Sequence, residues 1–211
     1  EDLIIGSQGN DTINGALGDD TIYGGGGNDL IDGGGENDSL IGNGGKDTLI
    51  GNVGDDTVIW RGTKDGNDSF ALEDGFDTLQ VSGDSNSNQF VVSQDGSTLV
   101  ISEGNKSIRI TGDPTGFAAG LERVNIEGGV GNDSITVQDI QNVGFFPLFL
   151  SGGTGNDFIS GAGAKIGNVA LSLNGNIGND FITGTSARET LFGGEGDDVL
   201  NGDGGDDDGD G

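Results

Sequence analysis

The chain has 211 residues, of which 46 are Gly, 36 are Asp or Glu and only 8 are Lys or Arg, for a formal net charge of −28. Cys and His are absent, which excludes Ser-His-Asp and Cys-His nucleophiles, His-ligated or thiolate-ligated metals, and disulfides. The negative charge disfavours nucleic acid and anionic membranes, where Lys and Arg must neutralise phosphates or headgroups, and it favours cations as partners. With 31% hydrophobic residues and so much Gly, an ordinary globular core is a poor expectation.

A repeat of nine residues organises the N-terminal third of the chain. Six consecutive nonads begin at the leading glycines Gly6, Gly15, Gly24, Gly33, Gly42 and Gly51. Position six of each is an aspartate, namely Asp11, Asp20, Asp29, Asp38, Asp47 and Asp56, and Asp2 continues this frame backwards. Position eight is always a large aliphatic residue, from Ile13 to Val58, and position four holds Gly9, Gly18, Gly27, Gly45 and Gly54, with Glu36 as the exception.

Each nonad supplies a Gly-rich turn and a short strand whose middle side chain points inward, so two nonads form one coil. Burying one aliphatic side chain contributes roughly 1.5–3 kcal/mol, whereas ordering the backbone costs roughly 1–2 kcal/mol per residue. Stacked coils also place carboxylates about 4.8 Å apart, where they repel one another. An ion that takes about six to eight oxygen ligands fits between them, so we expect calcium rather than magnesium, whose smaller shell resists dehydration.

The nonads resemble those of the RTX, or hemolysin-type calcium-binding, family, whose repeat is G-G-x-G-x-D-x-U-x with U a large apolar residue. The resemblance implies an all-β, right-handed parallel β-roll or β-helix solenoid with stacked calcium-binding turns. It also implies that position-six aspartates of successive same-side turns share calcium ions with backbone carbonyls of the Gly-rich loops, including the position-four glycines. Alternate nonads stack, so we expect Asp2, Asp20, Asp38 and Asp56 along one edge and Asp11, Asp29 and Asp47 along the other.

Residues 60–127 are predicted to form a second region with degenerate repeats and irregular β structure. Asp68 and Asp77 lie nine residues apart, each followed by an apolar residue two positions later. Alternating apolar runs follow, punctuated by the hairpin signals Asp95-Gly96 and Gly104-Asn105. The local charge is milder here than in the nonads, so we expect this region to depend less on ions.

Residues 128–211 are predicted to return to a β-helix, with longer coils and an uncapped acidic end. The turns GGVGND, GGTGND, GNIGND and GEGDD place Asp133, Asp157, Asp180 and Asp198 as further metal ligands, the first three in one stacked line. Glu189 occupies a position-six slot in which a metal site is doubtful, and Asp207 is the last possible ligand. Phe145, Phe146, Phe149, Phe158 and Phe181 are expected to fill the core, and Trp60 and Tyr23 to flank strands.

These features favour a non-catalytic calcium-binding module whose folding is driven by extracellular calcium. The resemblance implies a larger bacterial protein, exported by a type I machinery; the N-terminal EDLIIGSQGN lacks a secretory signal pattern, and no run is long and apolar enough to insert into a membrane. Alternatives are a structural or adhesive spacer, for instance in a biofilm, and a polysaccharide-acting β-helix enzyme. Self-association at uncapped coil ends and glycan contact stay open, as do the number of ions and the activity of the parent protein.

Overall fold

The computed structural model describes residues 1–71, 73–111, 121–141, 146–205 and 207–210, and these form the predicted all-β parallel solenoid. The strands are β1 Leu3–Ile5, β2 Thr12–Asn14, β3 Thr21–Gly26, β4 Leu30–Gly35, β5 Ser39–Gly44, β6 Thr48–Val53, β7 Thr57–Trp60, β8 Asp68–Ala71, β9 Asp77–Ser82, β10 Gln89–Asp95, β11 Thr98–Glu103, β12 Lys106–Thr111, β13 Leu121–Val130, β14 Ser134–Val137, β15 Pro147–Thr154, β16 Phe158–Ser160, β17 Ala170–Ile177, β18 Phe181–Thr183, β19 Glu189–Glu195, β20 Val199–Asn201 and β21 Asp208–Asp210. A single 3-10 turn spans Gly62–Lys64 within these ranges. The described residues include no helix long and apolar enough to cross a bilayer.

The strands form two facing sheets, because successive nonads contribute alternately to one and the other. One sheet has the order β1-β3-β5-β7-β9-β13-β15-β17-β19-β21, and the other β2-β4-β6-β8-β12-β11-β10-β14-β16-β18-β20. In the nonad region neighbouring strands pair in parallel and in register, for example Ile4 with Ile22 and Ile13 with Ile31. Each coil therefore places its turns directly above those of the coil before.

The core lies between the two sheets and consists mainly of the position-eight side chains. Ile22, Ile31 and Leu40 are fully buried there. The side chain before each of them faces outward, because strand residues alternate. Phe146 is fully buried as expected, whereas Phe149 is 39% exposed, and Phe145 lies outside the described residues. Phe158 and Phe181 occupy such outward-facing positions, so the expectation that they fill the core is wrong: each is 43% exposed. Their rings stack on the outer face of the sheet with centroids 5.5 Å apart.

An antiparallel meander of three strands interrupts the regular stacking. In the first sheet β9 and β13 are direct neighbours, whereas in the second sheet β12, β11 and β10 lie between β8 and β14. β10 pairs antiparallel with β11, and β11 with β12, as the two hairpin signals predict. Trp60 is buried near this junction and donates its indole N–H to the Gly66 carbonyl at 3.3 Å, so it is a core residue and not merely a strand-flanking one. Both sheets run through all three predicted regions, 1–59, 60–127 and 128–211, whose division stays a prediction.

Candidate metal centre

The turns form two edges of the solenoid. The first edge is made by the turns that lead into the first sheet, and the second edge by those that lead into the second sheet. The first edge carries Asp2, Asp20, Asp38, Asp56 and Asp77. The second edge carries Asp11, Asp29, Asp47 and Asp68 before the meander, and Asp133, Asp157, Asp180 and Asp198 after it. The nonad aspartates thus lie on the two edges that their 18-residue spacing indicates, and Asp133, Asp157 and Asp180 share one edge.

From Asp20 onward, one oxygen of each edge aspartate ties its coil to the preceding one. The backbone N–H of Asp20 donates to Oδ1 of Asp38 at 2.9 Å. The same contact recurs on the second edge, where Asp133 donates to Oδ1 of Asp157 at 2.8 Å. The same contact occurs in the degenerate repeats, where the backbone N–H of Asp56 donates to Oδ1 of Asp77 at 3.0 Å. Oδ1 is therefore part of the hydrogen bonding that holds the stack together.

The second carboxylate oxygen is buried without a hydrogen-bond donor. Within the described ranges this holds for Oδ2 of Asp20, Asp29, Asp38, Asp47, Asp56, Asp77, Asp133, Asp157, Asp180 and Asp198. An ionised carboxylate only accepts hydrogen bonds, and burying one without a partner is strongly unfavourable. A row of such oxygens in one edge requires positive charge, and oxygen-coordinated cations supply it.

The leading glycine leaves the space in which these oxygens meet a backbone carbonyl. At the point where a Cβ on Gly24 would stand, Oδ2 of Asp29 is 2.5 Å away and the carbonyl oxygen of Gly42 is 2.7 Å away. At Gly15 the equivalent point is 2.6 Å from Oδ2 of Asp20 and also contacts the Gly33 carbonyl. A carboxylate and a carbonyl oxygen from adjacent coils therefore converge where no side chain can fit. This donor set suits calcium, which binds carboxylate and carbonyl oxygens together.

The position-four carbonyls are a second source of oxygen. Opposite the Gly9 carbonyl, the backbone N–H of Asn28 donates to the side-chain oxygen of Asn10 at 2.8 Å and not to that carbonyl. Opposite Gly18, Gly27 and Gly54 the equivalent backbone N–H likewise donates to the oxygen of the position-five side chain that follows the glycine. Gly45 differs, because its carbonyl accepts from the Asn67 N–H at 3.0 Å. Glu36 adopts the positive φ of its glycine counterparts, at 78°.

Burial raises the pKa of several of these carboxyl groups. It raises the pKa of Asp47 and of Asp56 to about 6. The backbone hydrogen bonds from Asp29 and Asp38 lower these pKa values, whereas repulsion by the Asp29 and Asp38 carboxylates raises them. Burial likewise raises the pKa of Asp157 to about 6 and that of Asp77 to about 7, and the nearby Asp56 and Glu122 carboxylates add to the shift at Asp77. Without a cation these groups bind protons near neutral pH, so cations and protons compete for the same oxygens.

Not every predicted ligand has an unpartnered oxygen. Asp2 is exposed, and Oδ2 of Asp11 accepts from the backbone N–H and hydroxyl of Ser7 at 2.7 and 3.0 Å. Glu189 is satisfied by Thr185, whose backbone N–H donates to Oε2 at 3.1 Å and whose hydroxyl contacts Oε1. The turns of Asp11 and Glu189 therefore hold their acidic side chains by protein donors.

Sequence reasoning missed two features of this centre. Asp77 was read only as part of a degenerate repeat, yet its Oδ2 is as isolated as those of the regular nonads. The turn 83–88 was not recognised as a repeat, although Gly83, Asn88 and Phe90 occupy positions one, six and eight. Nowhere in the described part of the chain do three acidic side chains lie close enough together to hold a metal ion by themselves.

Comparison with known families agrees with this geometry. A model described as the RTX calcium-binding nonapeptide repeat matches the chain in four copies, at residues 1–31, 23–58, 149–164 and 183–211. No curated protein matches the chain. The matched copies cover most of the aspartates described above and leave out the meander.

Proposed function

Because this chain belongs to the RTX calcium-binding repeat family, we propose that its calcium-binding repeats form a module in which ion binding drives folding. The observation that carries this proposal is the set of buried Oδ2 atoms without any donor, which at Asp20, Asp29, Asp133 and Asp180 lie beside the carbonyl of a leading glycine of the next coil. In the unfolded chain these carboxylates are hydrated and far apart. The folded coils bring them together, so binding and folding become one event.

The energetics support such coupling. A site that binds only in the folded state stabilises that state by about 2.7 kcal/mol when free calcium is a hundredfold above its dissociation constant. Several sites of this kind amount to a stability comparable with that of a whole domain, which is about 5–15 kcal/mol. Each nonad contributes only one position-eight side chain to the core, so the ions would decide whether these coils form.

We assign the sites to Asp20, Asp29, Asp38, Asp47 and Asp56 in the nonads and to Asp77, Asp133, Asp157, Asp180 and Asp198 beyond them. The carbonyls of the leading and position-four glycines would supply the remaining oxygens. Calcium fits this arrangement better than magnesium, because irregular sets of about six to eight oxygens suit the larger ion and magnesium retains its water.

We further propose that the module acts outside the cell as part of a type I-secreted bacterial protein, and that it is not itself catalytic. Members of this repeat family are typically found in secreted bacterial proteins and are typically non-catalytic. Cytosolic calcium is scarce and external calcium abundant, so the chain would remain unfolded before export and fold outside.

Far-UV circular dichroism during calcium titration of the chelator-treated protein tests the coupling. We expect a cooperative gain of β structure with calcium and none with magnesium. Asp47→Ala should shift the calcium midpoint upward, because Asp47 is fully buried with an unpartnered oxygen. Glu195→Ala removes the same charge from an exposed site and should leave the midpoint unchanged. A chelated protein with the full β spectrum and the same melting temperature as the calcium form would contradict the proposal.

A further inference from the structure

The turn 83–88 has the backbone arrangement of a calcium nonad but carries an amide at position six. Gly83 donates its N–H to the Glu127 carbonyl at 2.7 Å, as Gly6 does to Tyr23 in the first nonad. The Asp84 carbonyl accepts from the Val130 N–H at 3.0 Å, and Phe90 is buried at position eight. This turn therefore stacks directly against the turn 128–133, in the place where one more aspartate of the second edge would stand.

The backbone of Asn88 continues the carboxylate ladder. Its N–H donates to Oδ1 of Asp133 at 2.7 Å, which matches the contact between Asp133 and Asp157 in the next coil. Asn88 is only 5% exposed, so its side chain is placed within the edge and not in solvent.

The side chain of Asn88 replaces an acceptor by a donor. The point where a Cβ on Gly83 would stand contacts the Gly128 carbonyl and lies 2.8 Å from Nδ2 of Asn88, whereas in the regular turns Oδ2 takes this place. Nδ2 donates to the carbonyls of Gly128 at 3.1 Å and Asn86 at 2.8 Å, and it lies 3.3 Å from Oδ1 of Asp133. Oxygens that a cation must bridge elsewhere are bridged here by amide hydrogens.

The surroundings of the meander are held by protein donors as well. Oε2 of Glu103, which is 8% exposed, accepts from the Thr63 N–H at 2.6 Å. Lys64 Nζ lies 3.1 Å from Oδ2 of Asp84 and links the turn 83–88 to the preceding one. Among the residues that the structure describes between positions 78 and 132, no buried carboxylate oxygen lacks a partner, whereas such oxygens occur on both sides of this interval.

We propose that the Asn88 amide takes the place of a carboxylate and its calcium ion, so that the metal line of the second edge ends at Asp133 and the meander strands β10, β11 and β12 fold without calcium. Because it rests on the proposed function, this inference concerns where ion dependence stops along the chain. The folded meander strands would then be a template against which Asp133 and the following coils assemble when calcium binds.

Asn88→Asp tests the substitution directly. The variant places a carboxylate oxygen beside the Gly128 carbonyl and Asp133, so it should bind one additional calcium ion per chain in titration calorimetry. In chelator it should melt below the wild type, and calcium should restore its stability. Asn132→Asp is the matched control, because it adds the same charge at an exposed neighbouring position and retains the oxygen that accepts from Asn156 at 2.9 Å. The control should bind the wild-type number of ions.

Asn88→Ala and hydrogen exchange cover the case in which Asn88→Asp fails to fold. Asn88→Ala removes donor and carboxylate alike, so its loss of stability in chelator should not be restored by calcium. In wild-type protein with chelator, amides of β10, β11 and β12 should exchange about tenfold or more slowly than those of β2, β4 and β6.

An unchanged ion count in folded Asn88→Asp, or equally fast exchange in all these strands, would overturn the inference while leaving calcium-coupled folding intact. Failure of the wild-type protein to bind calcium at all would instead overturn the proposed function.

Discussion

Gly24→Ala tests the metal cradle, which is the space beside the Gly24 backbone where the proposed oxygen ligands meet, without removing a carboxylate. The new Cβ would lie 2.5 Å from Oδ2 of Asp29 and 2.7 Å from the Gly42 carbonyl, so it would occupy the space between two proposed ligands without removing either. The backbone φ of Gly24 lies outside the positive range, so the substitution introduces no conformational strain of that kind. Its effect should come from the space that the methyl group takes.

The expected loss has two parts. Losing one ion costs about 2.7 kcal/mol at a hundredfold calcium excess, and crowding a packed site costs about 1–3 kcal/mol. The total of about 4–6 kcal/mol corresponds to a fall in melting temperature of roughly 8–24 °C, since about 1 kcal/mol shifts a domain of this size by roughly 2–4 °C. Calorimetric melting in saturating calcium, together with titration calorimetry, measures both the loss and the ion count.

Gly44→Ala provides the control for this experiment. Gly44 also lies in a nonad strand at ordinary φ, but a Cβ there meets no atom within 4 Å, so its melting temperature and ion count should stay near the wild-type values. If Gly24→Ala binds the wild-type number of ions and melts with Gly44→Ala, the cradle is wrongly placed. If Gly24→Ala is destabilised but still binds every ion, the methyl group acts by steric crowding alone.

Three further predictions follow from the edges. Burial raises the pKa of Asp47 to about 6 and of Asp77 to about 7. In chelator the folded protein therefore loses these stabilising protons as pH rises through 6–7, and its stability falls. Calcium titrations at pH 5.5 and 7.5 should show tighter binding at the higher pH, and equal midpoints would contradict this. Glu36→Gly relieves a side chain at φ 78° and should raise the melting temperature by roughly 2–4 °C, for a gain of about 1 kcal/mol; a decrease would mean that the Glu36 side chain stabilises its turn. Thr185→Val removes a hydroxyl that contacts Glu189 and should cost about 1–3 kcal/mol in denaturant unfolding, whereas Thr185→Ser should retain most of it.

The nonad region could be predicted in detail because its period determines both the register and the side of each turn. An 18-residue displacement between Ile4 and Ile22 follows directly from two nonads per coil. Once this is known, the edge of every position-six aspartate is fixed. The same alternation would also have placed Phe158 outside, because it precedes the inward-facing Ile159 in a strand. The error there came from assuming that aromatic residues are buried.

The middle region could not be predicted to the same extent, because its pairing depends on contacts far apart in sequence. The hairpin signals indicate the meander, but they do not reveal that β12 would pair with β8 and β10 with β14. The role of Asn88 was hidden for a related reason. An asparagine at position six looks like the loss of a site in the sequence, and only its contacts with Gly128 and Asp133 show what replaces the ion.

The leading glycine connects the composition of the chain with its chemistry. So many glycines weaken a fold by adding entropy to the unfolded chain, yet Gly24 and its equivalents are where carboxylate and carbonyl oxygens of adjacent coils meet. A side chain at this position would stiffen the unfolded chain and fill the cradle at the same time. The residues that make the coils unstable without an ion are therefore the ones that allow the ion to bind, and folding of these coils becomes sensitive to calcium concentration. Where Asn88 bridges the same oxygens with its own amide, that sensitivity has no physical basis, which is why the ion-dependent coils should lie on either side of the meander.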